Sequence, residues 1–284
     1  MFMRGTHPLG TDYTAEHWGT PGKPTLHFLH ANSYCAGMYA PFLEPLFAEY
    51  DIYALEIPGH GRSEWSGKME RWSDLADYLI RYLDRAELSK PIIGVGHSIG
   101  GVATMMAAVE RPDLFSRLIL LDPVLLPPKM LFMIKLANLF HYRYSTPLIK
   151  SASRRRKHFP SREAAREQYE KKRAFKHWKP AFLDAYVECG FRPDKKGGVE
   201  LSCSPELEIS IYRSIPINAW QYVKNLKTPT LILGGEKTDT LLPASRKKLA
   251  KRTPEIITKT VPGSHLFPFE YPREAMLQMK EFLR

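Results

Sequence analysis

The stretch that most limits what this chain can become is Gly96-His97-Ser98-Ile99-Gly100-Gly101. Before it, Lys90 to Val95 is a short apolar, partly β-branched run that reads as a buried strand. After it, Val102 to Glu110 is rich in helix formers and stops ahead of Pro112. A serine at the apex of a strand–turn–helix has a strained backbone, so the residues two positions away on each side must lack a Cβ. Gly96 and Gly100 satisfy that demand. The turn lifts the Ser98 hydroxyl off the sheet edge and aims the N–H of Ile99 at the same point. The positive end of a helix lies behind both. Ser98 is therefore a candidate nucleophile. The plainer reading is a glycine-rich turn carrying a solvated serine.

The flanking sequence repeats the strand–helix alternation. Pro24 to His30 reads as a strand, Tyr39 to Glu49 as a helix, Asp51 to Glu56 as a strand, and Ser73 to about Leu88 as a long amphipathic helix capped by Ser73. Arg117 to Asp122 reads as a further buried strand, and two weak strand candidates occupy Met3 to Gly5 and Tyr13 to Trp18. From Leu125 to about Ile215 no clear strand is expected. Helical stretches take its place at Met130 to His141, Arg162 to Lys176 and Pro180 to Gly190. Alternation resumes with a strand at Thr228 to Gly234, a helix from about Ala244 to Arg252, a strand at Glu255 to Val261 and a helix at Pro272 to Leu283. Continuous apolar strands between helices predict an α/β fold, with a mostly parallel sheet covered on both faces. The expected division is a core over 1–124 and 217–284, with an inserted helical cap over 125–216.

A serine hydroxyl is a weak nucleophile without a base beside it, and the base needs an acid to orient it. His265 follows the last expected strand, on the side of the sheet where Ser98 lies, and is the candidate base. Asp239, in the loop after the preceding strand, is the candidate acid; its plainer role is a turn aspartate bonding its own backbone. Asp122, at the end of the strand after Ser98, is its rival. Glu236 stands too close to its own strand. The order Ser98, Asp239, His265 is the Ser…Asp…His order of one fold specifically.

With these residues in place, the chain resembles a serine hydrolase of the α/β-hydrolase superfamily, esterase- or lipase-like with a helical cap. Gly96 to Gly100 resembles that family's nucleophile elbow, and Ile57 to Ser63 its D-x-P-G-x-G-x-S turn. His30-Ala31-Asn32 resembles its His-Gly-x oxyanion loop, and Gly234 to Asp239 and Gly263 to His265 its acid and base loops. The resemblance implies an oxyanion hole made by the N–H groups of Asn32 and Ile99. Two residues depart from the pattern: Ala31 replaces a glycine, and Glu56 replaces an aspartate whose role is normally structural. Serine rather than aspartate at position 98 argues against the dehalogenase and epoxide-hydrolase branches.

The resemblance implies hydrolysis of an apolar ester or thioester through an acyl-enzyme, with no cofactor. Two other readings share these residues: C–C hydrolysis or cofactor-free perhydrolysis by the same triad, and a non-catalytic ligand receptor. His27, His30 and His97 read as structural, and no metal site is expected. The three cysteines (Cys35, Cys189, Cys203) are unpatterned, and the N-terminus lacks the apolar core of a signal peptide. The expectation is a soluble cytoplasmic protein.

Charge separates the insertion from the rest. Of the net +11, +10 falls between Leu125 and Pro216. Lys129 to Lys179 holds 15 Lys+Arg against three acids, densest at Arg154 to Lys157. Such a segment reads either as a solvated helical face or as a docking surface for an anion: acyl-CoA phosphates, a phospholipid headgroup or an anionic membrane. No nucleic-acid motif accompanies it. The apolar run Met130 to Phe140 is expected to cover an acyl chain.

Overall fold

The apolar runs become strands buried on both faces, as a parallel sheet between helical layers requires. A computed structural model describes residues 3–8, 13–64, 70–140, 142, 145–251 and 255–284. The first part of the chain forms β1 (Met3–Pro8), β2 (Thr14–Gly19), β3 (Thr25–Leu29), α1 (Ala40–Leu43), β4 (Asp51–Leu55), α2 (Trp72–Arg85), β5 (Ile92–His97), α3 (Ile99–Glu110) and β6 (Phe115–Leu121). Between β6 and the next strand of the main sheet lie α4 (Pro128–Leu139), α5 (Pro147–Ser153), β7 (His158–Phe159), α6 (Arg162–Glu170), α7 (Pro180–Cys189), β8 (Phe191–Pro193), β9 (Val199–Leu201), α8 (Pro205–Arg213) and α9 (Ala219–Asn225). The last part is β10 (Thr230–Gly235), α10 (Pro243–Leu249), β11 (Ile256–Val261), α11 (Phe267–Glu270) and α12 (Pro272–Leu283).

Among the described residues the main sheet has the order β1-β2-β4-β3-β5-β6-β10-β11. β1–β2 and β2–β4 pair antiparallel, and every later pair is parallel. The register places Leu29 opposite Gly96, His97 opposite Leu121, and Leu121 opposite Leu233. The loops leaving β3, β5, β6, β10 and β11 therefore emerge from one edge of the sheet. One face packs on α2, α3 and α9, through Leu79, Met105 and Val223 among others. The other packs on α1 and α12, through Phe42, Met276 and Met279.

The stretch 125–216 departs from expectation in one respect. It contains a small antiparallel sheet, β7-β9-β8, where no clear strand was foreseen. These strands are two or three residues long, too short for any period-2 pattern to register. The expected helix from Tyr39 to Glu49 is broken into short 3₁₀ and α turns, because Pro41 and Pro45 each remove a backbone donor. His141 and Arg252, expected as the ends of two helices, lie outside the described residues. No helix among the described residues is long and apolar enough to cross a membrane.

Candidate active site

The tight turn after β5 sets the site. Ser98 has φ 58° and ψ −120°, a strained backbone for a residue with a Cβ. A Cβ on Gly96 would lie 2.4 Å from the Gly100 carbonyl oxygen, and one on Gly100 would lie 2.2 Å from that of Leu29. Both contacts are with backbone, which cannot swing aside, so both glycines are obligatory. Ile99 is the first residue of α3, and its N–H has no acceptor within the helix.

The structure brings Ser98 and His265 together: Ser98 Oγ lies 3.0 Å from His265 Nε2. The acid on the far side of the imidazole differs from the expected one. His265 Nδ1 lies 2.7 Å from Asp122 Oδ2, whereas the side chain of Asp239 is exposed to solvent. The cause is the alternation of Thr238-Asp239-Thr240. Both threonines turn inward, their hydroxyls donating to Asp122 Oδ2, which leaves the residue between them facing outward. Asp122 is fully buried, one residue past β6, and stands beside Ser98 because His97 and Leu121 are paired in the sheet. Its φ of 44° lies in the left-handed region that aspartate tolerates better than most residues. The Gly235 N–H donates to its Oδ1 at 3.0 Å.

These contacts set the electrostatics. Burial pushes the Asp122 carboxyl up, but hydrogen bonds from His265, Thr238 and Thr240 outweigh it and hold the group below the usual carboxylate range. Burial likewise depresses His265. The hydrogen bond and charge of Asp122 outweigh that effect, and the imidazole ends above its ordinary value.

Sequence reasoning gave His97 a packing role only, and the structure gives it a polar one as well. Burial, with the neighbouring His265, brings its imidazole down to about 3, so the ring is neutral. Its Nε2–H donates to the His265 carbonyl oxygen at 2.9 Å, and Nδ1 accepts from the Tyr39 hydroxyl at 2.7 Å. The Tyr39 oxygen in turn accepts from the Ala31 N–H at 3.3 Å. One directed chain of hydrogen bonds thus joins the loop after β3 to the loop carrying His265. Nothing in the local pattern of Gly-His-Ser signals this, because both partners are distant in sequence.

Asn32 is buried, and its side-chain amide donates to the Glu208 carbonyl oxygen at 3.1 Å, tying the inserted segment to the rim. Ser33 N–H donates to His60 Nε2 at 3.1 Å, which holds the same loop from the other side. Glu56, buried behind it, accepts from the Ala36 N–H at 3.1 Å. His30 accepts from the Ile57 N–H at 2.9 Å. Ser98 is only 7% exposed, so the hydroxyl sits below the surface rather than on an open rim. Aromatic side chains of three segments meet around Phe269, whose ring lies 6.1 Å from that of His97: Trp178 lies 4.6 Å from Phe269, and Tyr34 5.6 Å, centroid to centroid.

One group of metal-ligand type occurs among the described residues: His158 on β7, Glu200 on β9 and Asp194 just past β8. Its donors are already engaged: His158 with Asp194 at 2.7 Å, and Glu200 with Arg192 at 2.8 Å.

Comparison with known proteins agrees with this architecture. Residues 28–278 match the family model described as alpha/beta hydrolase family. A hydrolase of Bacillus subtilis (strain 168), described as uncharacterized, is 34% identical over 113 residues, 39% of this chain and 41% of that protein. The chain thus aligns with less than half of that relative's length. The crystal structure of E-2-(acetamidomethylene)succinate hydrolase superposes with a TM-score of 0.76 at 20% identity, covering 100% of this chain and 99% of that one. An esterase of Mycobacterium tuberculosis superposes with a TM-score of 0.77 at 21% identity, covering 100% and 91%. With the family model spanning most of its length, the chain belongs to the α/β-hydrolase family.

Proposed function

We propose that this hydrolase cleaves an ester or thioester of an apolar acyl group through a covalent acyl-serine, with Ser98, His265 and Asp122 as its triad. The reading is carried by one observation: Ser98 Oγ lies 3.0 Å from His265 Nε2, and His265 Nδ1 lies 2.7 Å from Asp122 Oδ2. Asp122 keeps the Nδ1–H tautomer, which leaves Nε2 free to take the hydroxyl proton as Oγ attacks the carbonyl carbon. The N–H groups of Asn32 and Ile99 receive the oxyanion. Each such donor is worth about 3 kcal/mol in the transition state. Collapse breaks the bond to the alcohol or thiol, which leaves with the proton from His265. Water, deprotonated by the same nitrogen, then releases the acid and restores Ser98.

The preference for an apolar acyl group rests on the aromatic cluster of Tyr34, Trp178 and Phe269, in which Phe269 lies 6.1 Å from the ring of His97, the residue before Ser98. In this reading residues 125–216 act as a cap over it. The three free thiols fit a reducing, cytoplasmic setting.

Labelling by a fluorophosphonate probe, lost in Ser98→Ala, tests the nucleophile. A chain-length series of p-nitrophenyl esters and acyl-CoA thioesters then defines the substrate. A wild-type protein that neither labels nor turns over any member of the series is a receptor on this fold, and the proposal fails.

A further inference from the structure

Helix α4 presents a contradiction between composition and burial. It is apolar nearly all round, and such a helix is ordinarily buried. Yet among its residues only Leu131 is buried. Phe132 is 58% exposed, Met133 64%, Leu139 68%, and Phe140 just beyond the helix 75%. At about 100° per residue, Phe132, Met133, Leu139 and Lys129 fall within an arc of about 120° on the outward side. The expected role for this run, lying over an acyl chain, therefore does not account for these side chains, because they point into solvent. Beside the helix runs a groove of about 320 Å³ whose apolar wall includes Leu131, Phe132, Ile217 and Trp220. Lys135 and Lys248 also line it, and the Lys248 ammonium sits 4.2 Å from the Trp220 ring centroid.

Charge decides what can cover this face. Between Pro123 and Arg162 the sequence has nine Lys+Arg and no Asp or Glu. Three of the nine already meet carboxylates: Arg155 with Glu208, Lys157 with Glu206, and Arg162 with Glu188. Lys129 and Lys135 stand exposed on α4 itself. A second copy meeting this face with its own would set lysine against lysine with no acid to compensate, which opposes a two-fold dimer here. An apolar strip flanked by lysines matches instead a bilayer interface bearing negative headgroups. There the phenyl and thioether groups enter the acyl boundary while the ammonium groups meet phosphate.

We propose that α4 and its groove dock the protein peripherally on an anionic lipid surface. This goes beyond the hydrolase reading and does not depend on it, because the test reads sedimentation rather than turnover. The full chain is centrifuged with vesicles of phosphatidylcholine alone or of phosphatidylcholine mixed with phosphatidylglycerol. The protein is expected in the pellet with the anionic vesicles, in the supernatant with the neutral ones, and released by added salt. The double variant Phe132→Glu/Met133→Glu should bind anionic vesicles about tenfold or more weakly while keeping its thermal midpoint. Lys129→Gln/Lys135→Gln, which leaves the apolar strip intact, should weaken anionic binding alone. Equal partition onto neutral and anionic vesicles overturns the proposal, as does no binding to either. Self-association that Phe132→Glu/Met133→Glu disperses, without vesicle binding, would make the face a contact between copies and overturn it as well.

Discussion

Replacing Asp122 by asparagine tests the site most directly, because the consequence follows from its hydrogen bonds. Oδ1 accepts from the Gly235 backbone N–H, so an asparagine keeps its carbonyl oxygen there. Its NH₂ then takes the place of Oδ2 and faces His265 Nδ1, 2.7 Å away in the native protein. That nitrogen must accept, which drives the imidazole proton to Nε2, where it points at Ser98 Oγ and blocks proton transfer. Thr238 and Thr240 can turn their hydroxyls to accept from the amide, so the fold should tolerate the change. A wrong tautomer with geometry intact lowers kcat about 10³- to 10⁴-fold in triads of this kind, or about 4–5.5 kcal/mol of barrier. Asp239→Asn removes only an exposed charge that acts on His265 through water, and should change kcat/KM less than about threefold. The assay is hydrolysis of a soluble p-nitrophenyl ester by both variants, with thermal midpoints as the folding control. Loss of activity in Asp239→Asn, with Asp122→Asn active, would refute the assignment.

Two further outcomes follow from the same contacts. His265 must be neutral to act as a base and its imidazole is raised, so kcat/KM should fall as pH drops through a midpoint above the ordinary imidazole value; in Asp122→Asn burial is opposed only by the smaller effects of Asp239 and Glu270 and that midpoint should move to lower pH, whereas an unmoved midpoint would mean that another group titrates. Between β6 and β10, Arg155 pairs with the buried Glu208 at 2.5 Å and donates to the Tyr186 hydroxyl at 2.6 Å. Arg155→Met strands that carboxylate and should cost about 3–5 kcal/mol in denaturant unfolding, a cost that Arg155→Met/Glu208→Gln should largely relieve.

Some features depended on local chemistry alone and were legible in the residues. Gly96 can be nothing else, because its nearest neighbour is the Gly100 carbonyl brought there by the turn itself; Gly100 is held to glycine by the Leu29 carbonyl at the end of the adjacent β3. The buried strands and their loops at one edge follow from the alternation of apolar runs with helices. What local chemistry could not decide was which carboxylate reaches His265. Asp122 directly follows β6 and Asp239 lies in the loop after β10, and both strands point to the same edge. The choice rests on Thr238 and Thr240, in the loop beyond β10, turning their hydroxyls inward onto Asp122. The dense Arg154 to Lys157 run also looked uniform, yet tertiary contacts bury Arg155 against Glu208 and leave Arg154 and Arg156 exposed. Likewise α4 has the composition of a buried helix, yet the fold buries only Leu131 of it and leaves Phe132, Met133 and Leu139 exposed. Sequence determines such features where the partner lies within a turn or two of chain; where the partner is a hundred residues away, only the folded arrangement decides.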